Sequence, residues 1–199
     1  MPRTYSYSAD FDSETEELFK EAVFLGEGHN GIVYGLPDNK AIKIFQEAKC
    51  CKEEGEILKK VSKSKYFPKV YNLGKFYIVR DMVYGRRLDH YIKKKGFNYE
   101  ISEEIYNLIE EFKKLKFTKL DARCRDIYIT TDNKIMVIDP KQCYKRKVNY
   151  PRHLMKGLEK VGVLESFLED LRLIDKKTAR EWERRYNQYL QNREIQEWI

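Results

Sequence analysis

Three glycines, Gly26, Gly28 and Gly31, followed at once by Ile32-Val33-Tyr34, constrain what this chain can fold into. Glycines in a G-x-G-x-x-G arrangement let backbone N–H groups approach an anion closely, and two different architectures use them. In one, the glycine turn opens a helix whose N-terminus takes a pyrophosphate. Here Ile32-Val33-Tyr34 continues as β-branched and aromatic strand, Pro37-Asp38-Asn39 reads as a turn, and Ala41-Ile42-Lys43-Ile44-Phe45 reads as a second strand. The pattern predicts a glycine-tipped hairpin acting as a lid over phosphates and argues against the helix-opening dinucleotide site.

A second constellation is acidic. Leu120-Asp121-Ala122-Arg123-Cys124-Arg125-Asp126 leads into Ile127-Tyr128-Ile129, and Ile135-Met136-Val137-Ile138-Asp139-Pro140-Lys141 follows the turn residues Thr130-Thr131-Asp132-Asn133. A short hairpin here turns the chain so that Asp126 and Asp139 can face one metal–phosphate group. Hard carboxylate oxygens suit a small dication. Three close carboxylates repel, so at least one should have a raised pKa until a metal or Arg123 compensates.

Between and beyond these stretches the chain shows two compositional halves. From Ala22 to Val83 the signals are short strands, interrupted by a helix from about Gln46 to Val61. Tyr66 to Tyr71 and Lys75 to Val79 read as strands, with Asn72-Leu73-Gly74 turning between them. Past Gly85 the pattern becomes helical. Leu88 to Lys95 reads as a short helix. A long one follows, capped by Ser102 and carrying Ile101, Ile105, Leu108, Ile109, Phe112 and Leu115 on one face. His153 to about Leu173 and Lys176 to Trp198 read as two more helices, the last with Trp182, Tyr186, Tyr189 and Leu190 on one stripe facing a core. The segment before about residue 15 shows no determined element.

The glycine hairpin, Lys43, and the Asp121/Asp126/Asp139 spacing together resemble the protein-kinase-like superfamily, over about residues 20 to 175. Asp126 follows Asp121 by five residues, the distance from catalytic aspartate to first metal ligand in that superfamily. Ile138-Asp139-Pro140-Lys141-Gln142 stands where ordinary members have D-F-G, no A-P-E follows, and 60 residues remain after Asp139. The resemblance is therefore to minimal atypical, RIO-like kinases and to short bacterial serine/threonine kinase-like proteins. It implies an α+β, bilobal fold: an N-lobe over residues 1–83 with a small antiparallel sheet and one helix, and a reduced, mostly helical C-lobe over residues 84–199.

The resemblance also implies roles. Gly26, Gly28 and Gly31 would admit the phosphates of ATP, and Lys43 would contact them, paired with Glu54 of the E-x-x-I-L phrase Glu54-Gly55-Glu56-Ile57-Leu58. Glu53 is the neighbouring candidate for that pairing. Adenine would sit against Val33, Ala41, and Ile32 or Leu25, with its edge on the backbone of Asp81 and Val83. Arg80 stands where a hydrophobic residue usually closes the pocket behind adenine. Asp121 would orient and deprotonate the attacking hydroxyl, Arg123 would stand near the γ-phosphate, and Asp126 and Asp139 would hold Mg²⁺ or Mn²⁺. Lys119 and Leu120 replace the usual histidine and arginine before the catalytic aspartate.

The implied activity is transfer of the ATP γ-phosphate to a serine or threonine hydroxyl of a protein, its own included. Two alternatives stay open: a pseudokinase acting as a nucleotide-binding or scaffold protein, favoured by Lys119, Arg80 and the missing A-P-E, and a small-molecule phosphotransferase. A nucleic-acid-binding module is a further alternative, suggested by a formal charge of +7 and unsupported by any motif. The basic run Lys141, Lys145, Arg146, Lys147, Arg152 and His153 reads either as a solvated loop or as a site for an acidic, phosphorylated or nucleic-acid-bearing partner. With no apolar run near the roughly 18 residues that span a bilayer, and no signal-peptide core after Met1, a cytoplasmic protein is expected. Cys50, Cys51, Cys124 and Cys143 have neither disulfide-framework nor zinc-site spacing, and reduced thiols are expected.

Overall fold

The computed structural model describes residues 10–197, with side chains described through residue 192. It is an α+β structure that divides into two compact units between Val83 and Tyr84. Among the described residues all four cysteines are unbridged, and no helix is long and apolar enough to cross a membrane.

The first unit holds helix α1 (Ser13–Phe19), strands β1 (Val23–Gly28), β2 (Gly31–Leu36) and β3 (Lys40–Phe45), helix α2 (Ala48–Lys60), and strands β4 (Val70–Leu73) and β5 (Tyr77–Asp81). The strands form one antiparallel sheet in the order β1-β2-β3-β5-β4. Directly opposed residues share a face. The pairs Val33–Lys43, Gly35–Ala41, Ala41–Arg80 and Lys43–Ile78 therefore put Val33, Ala41, Lys43, Ile78 and Arg80 on one side. Leu36, Ile42, Tyr77 and Val79 fill the other, where they form a buried cluster with Phe11, Leu18, Phe19 and Tyr34.

Helix α1 covers that second face. Asp12 caps it, its Oδ1 accepting the Thr15 N–H at 2.8 Å. Phe11 sets its ring edge-on to Tyr77, centroids 5.0 Å apart, and Phe19 does the same to Tyr34 at 5.1 Å. A seven-residue helix has little stability of its own, so these aromatic contacts hold it. That is why the sequence, which offers only two helical turns rich in acid, shows no element there. Helix α2 buries Cys51, Glu54, Gly55, Ile57 and Leu58, one helical face.

Tyr66 to Tyr71, expected as a strand, pairs only from Val70. Pro68 has no N–H to give a ladder, and the apolar signal that suggested a strand is Tyr66 and Phe67 buried in the preceding loop at 4% and 5% exposure.

The second unit opens with strand β6 (Gly85–Arg87), within what reads from sequence as linker and helix, and continues through α3 (Leu88–Lys95) and α4 (Tyr99–Lys114). A 3-10 turn (Cys124–Asp126), strands β7 (Ile127–Thr130) and β8 (Ile135–Val137), and helices α5 (Arg152–Lys160), α6 (Leu164–Ile174) and α7 (Lys176–Glu197) follow. Strands β6, β7 and β8 form an antiparallel sheet in that order. Asn98, not Ser102, caps α4, its side chain accepting the Ile101 N–H at 3.1 Å. Ser102 lies inside the helix with no exposure and donates to Asp170 of α6 at 2.5 Å. The single helix expected from His153 to Leu173 is two, broken at Gly162, whose φ of +77° no helix accommodates. Trp182 and Tyr186 of the expected α7 stripe are buried, Trp182 stacked on Phe167 and the Tyr186 hydroxyl donating to Glu159 at 2.8 Å.

The three loop glycines differ in what the fold demands of them. A Cβ at Gly31 would lie 1.9 Å from the Ile44 carbonyl oxygen, and its φ is +154°. A Cβ at Gly26 would meet nothing within 4 Å. Gly31→Ala is expected to cost about 2 kcal/mol or more in urea unfolding, and Gly26→Ala to stay within about 0.5 kcal/mol of the parent.

Candidate functional site

Each unit carries its own group of candidate residues. In the first, β1 and β2 close on the two-residue turn His29-Asn30, with Gly28 opposite Gly31. The Gln46 N–H donates to the Asn30 carbonyl at 3.1 Å and ties this tip to the end of β3. A bulge at Leu25 shifts the register between Phe24 and Gly26. It sends the Leu25 side chain over Gly35, where a Cβ would meet it at 3.6 Å. Leu25 thereby joins Val33 and Ala41 on the Lys43 face. Ile32 pairs with Ile44 on the opposite face, so of the two residues weighed for that wall only Leu25 is placed to serve.

Lys43 and Glu54 stand 2.6 Å apart, Nζ to Oε2, at 7% and 4% exposure. Eleven residues separate them because β3 runs straight into α2 through a two-residue connection, and the first turns of the helix return Glu54 over the sheet. The ammonium also lies 4.6 Å from the centre of the Phe45 ring. Two charges this deeply buried are tolerated only because each faces its opposite. Arg80, on the same sheet face, is buried as well, at 6% exposure.

Asp81 ends β5. Its N–H donates to the Lys69 carbonyl at 2.9 Å, and its carboxylate accepts the Lys69 N–H and the Tyr71 hydroxyl, each at 2.7 Å. The Met82 N–H donates to Asn39 at 2.8 Å. Any base-edge contact from Asp81 is therefore left to its carbonyl. Val83 is the half-buried last residue of the unit.

In the second unit the hairpin β7–β8 is sealed at its base by the Ile138 N–H donating to the Asp126 carbonyl at 3.0 Å, which sets Asp126 beside the start of the Asp139 segment. The Asp126 carboxyl is raised from its ordinary value, first by burial and then by the charge of Asp139. Arg125, Arg123 and Lys141 pull it back. Arg123 itself is exposed at the head of the 3-10 turn. Lys141 pairs with Asp139 at 2.7 Å. Among the described residues no three or more His, Cys, Asp or Glu side chains come together as a metal cage.

Asp121 does something the sequence did not announce. Its side chain is entirely buried, and both oxygens are taken by the first turn of α5. Oδ1 accepts the His153 N–H at 3.0 Å and the Leu154 N–H at 3.3 Å, and Oδ2 meets His153 Nδ1 at 2.5 Å. Asp121 is thus the remote cap of a helix whose own N-cap, Pro151, offers no side chain for the purpose. The expected cluster of three carboxylates resolves into the Asp126–Asp139 pair and an Asp121 bound to His153. His153 lies 32 residues from Asp121, and no local spacing could have linked them.

The basic segment after Asp139 is tied down by its backbone. The Thr118 N–H donates to Cys143 at 2.9 Å, Val148 to Thr118 at 2.9 Å, and Leu120 to Val148 at 2.8 Å. Lys145, Arg146 and Lys147 remain exposed on that anchored frame. No protein-family model matches the chain, and no curated protein matches it in sequence.

A carboxyl whose pKa is raised by folding binds its proton more tightly in the native state, so stability falls as pH rises through the window between the ordinary and the raised value. Above that window the loss is complete. In metal-free buffer Asp126→Asn is accordingly expected to raise Tm at pH 7, with the gain vanishing below about pH 4. A lower Tm for the variant at pH 7 in calorimetric scans would contradict this origin of the shift.

Proposed function

We propose that this protein is an atypical, kinase-like phosphotransferase that binds ATP with Mg²⁺ and moves the γ-phosphate to a hydroxyl, a serine or threonine of a protein being the reading the sequence favours. The observation that carries it is the arrangement on one face of the first sheet: Gly26 and Gly28 ahead of a buried Lys43–Glu54 pair, with Leu25, Val33 and Ala41 beside them. A salt bridge held in the interior costs desolvation that an apolar pair would avoid, so its presence asks for a role. Holding a cationic Nζ at a fixed point for a nucleotide's phosphates supplies one.

The residues fit that ligand. Neither Gly26 nor Gly28 has a positive φ, and a Cβ at either would meet nothing closer than 3.9 Å within the chain. The hairpin does not need glycine there, and a ligand pressed against its backbone does. In the second unit, Asp126 and Asp139 repel each other, which suits a cation between them. Two carboxylates without a third protein ligand suit Mg²⁺, which commonly takes one or two carboxylates and completes its shell with phosphate oxygens and water. Mg²⁺ would neutralise charge developing on the phosphates; Lys43 would hold them, and Asp126 and Asp139 would hold the ion. The exposed Lys145-Arg146-Lys147 run favours an acidic partner protein.

One observation favours a second reading, a nucleotide-binding regulatory protein without transfer: the Asp121 carboxylate is committed to α5.

Thermal-shift titration of the full chain tests the shared part of both readings. Saturation to about 100 times Kd with ATP and Mg²⁺ should add about 2.7 kcal/mol, a shift of several degrees. Gly28→Val should keep the parent's Tm and lose most of the shift. Absence of a shift with ATP or ADP, with or without Mg²⁺ or Mn²⁺, would overturn the nucleotide reading.

A further inference from the structure

We infer that the base this protein prefers is guanine, read by the buried Arg80, so that GTP is the better nucleoside triphosphate and ATP the weaker one. The inference rests on the nucleotide reading and names the ligand class within it. Every residue it uses belongs to the first unit.

Strand register places Arg80. On the Lys43 face of the sheet, Ala41 stands two residues along β3 from Lys43, about 7 Å away, and Arg80 of β5 lies directly opposite Ala41. Side chains opposed in this way start from Cβ atoms about 5 Å apart. With phosphates held at Lys43, a base lying on Leu25, Val33 and Ala41 therefore turns one edge toward Arg80. Ala41 contributes only a methyl group and leaves that approach open.

The surroundings of Arg80 are apolar. Its side chain is 6% exposed, Ala41 and Val70 face it from the two neighbouring strands, and Ile78 precedes it on the same face. A cation in such company needs acceptors. The guanidinium does have partners. Its Nε is nonetheless a buried donor that meets no hydrogen-bond acceptor among the described residues. A ligand oxygen brought beside it would supply one.

The chemistry of the fork then selects the base, because arginine only donates. On the edge that carries N7 and the 6-substituent, guanine presents two acceptors, N7 and O6, which match two parallel N–H groups of a guanidinium. Adenine presents N7 beside an amino group, so one hydrogen bond is lost and a donor is set against a donor. Asp81, the next residue, has its N–H committed to the Lys69 carbonyl and offers a base its own carbonyl, an acceptor. Guanine has the N1–H beside O6 to donate to it, whereas adenine has there only the amino group that Arg80 opposes.

The test is calorimetric titration of the full chain, with Mg²⁺, by GTP, ATP, ITP and 2-aminopurine riboside triphosphate. ITP keeps O6 and N7 and lacks the 2-amino group; 2-aminopurine keeps the 2-amino group and lacks O6. GTP and ITP should bind about tenfold or more tighter than the other two. ATP binding within threefold of GTP, or tighter, would overturn the inference and leave the nucleotide reading standing. So would ITP as weak as ATP, which would put recognition at the 2-amino group. Absence of binding by all four would overturn the parent reading as well. Arg80→Met keeps a long unbranched side chain and removes the donors. It should weaken GTP about tenfold or more and leave ATP within threefold of wild type. An undiminished preference for GTP in Arg80→Met of unchanged Tm would overturn the assignment to Arg80; if the variant does not fold, the four nucleotides on the wild-type protein decide the matter.

Discussion

A carboxylate with no access to water must find its donors inside the protein, and the second unit is arranged around the one that Asp121 carries. Helix α5 begins at Arg152 behind a proline and needs an acceptor for its first N–H groups; Asp121, from a segment before the β7–β8 hairpin, is that acceptor. Negative charge at a helix N-terminus is also favoured by the helix dipole. With α5 pinned there, the 3-10 turn and the helix can touch at Cys124 and Gly157, where a Cβ on the glycine would lie 2.4 Å from the thiol sulfur. The Cys124 sulfur also donates to the Leu154 carbonyl at 3.6 Å, and burial pushes this thiol up to about 12, so it serves packing and not chemistry. The turn fixed in this way ends at Asp126.

Among the described residues, the charges of Lys43, Glu54 and Asp121 are buried and met by partners, and that of half-buried Asp126 is met only in part. Lys43 and Glu54 neutralise each other at 2.6 Å, and Asp121 is neutralised by donors. Asp126 beside Asp139 is the exception, since its nearest cations only partly offset burial and repulsion. A cation between them would relieve it.

Much of this was legible in the sequence where the signal was local. Alternation and turn chemistry located β2, β3, β7 and β8, and the limits of α3 followed from Leu88 to Lys95. The resemblance offered Glu54, with Glu53 beside it, as the partner of Lys43, and the short connection from β3 to α2 brings Glu54 to it at 2.6 Å. What stayed hidden depended on distant contacts. Helix α1 exists because Phe11 and Phe19 find Tyr77 and Tyr34. Ser102 resembled a cap because its hydroxyl precedes two acids, but that hydroxyl serves Asp170 on another helix. Gly162 falls inside the span expected as one helix, and its φ of +77° makes it the break. Asp121 was legible as a special residue, and its partner was not, since pairing with His153 is set by where α5 packs.

The most direct test of this account is the protonation of the His153 ring itself. Two-bond proton–nitrogen correlation spectra of protein labelled with ¹⁵N-histidine distinguish a nitrogen that carries hydrogen from one that carries a lone pair. The account predicts, for neutral His153, hydrogen on Nδ1 and a lone pair on Nε2, with the preference weakened in Asp121→Asn. Hydrogen on Nε2, or a tautomer indifferent to Asp121→Asn, would contradict it.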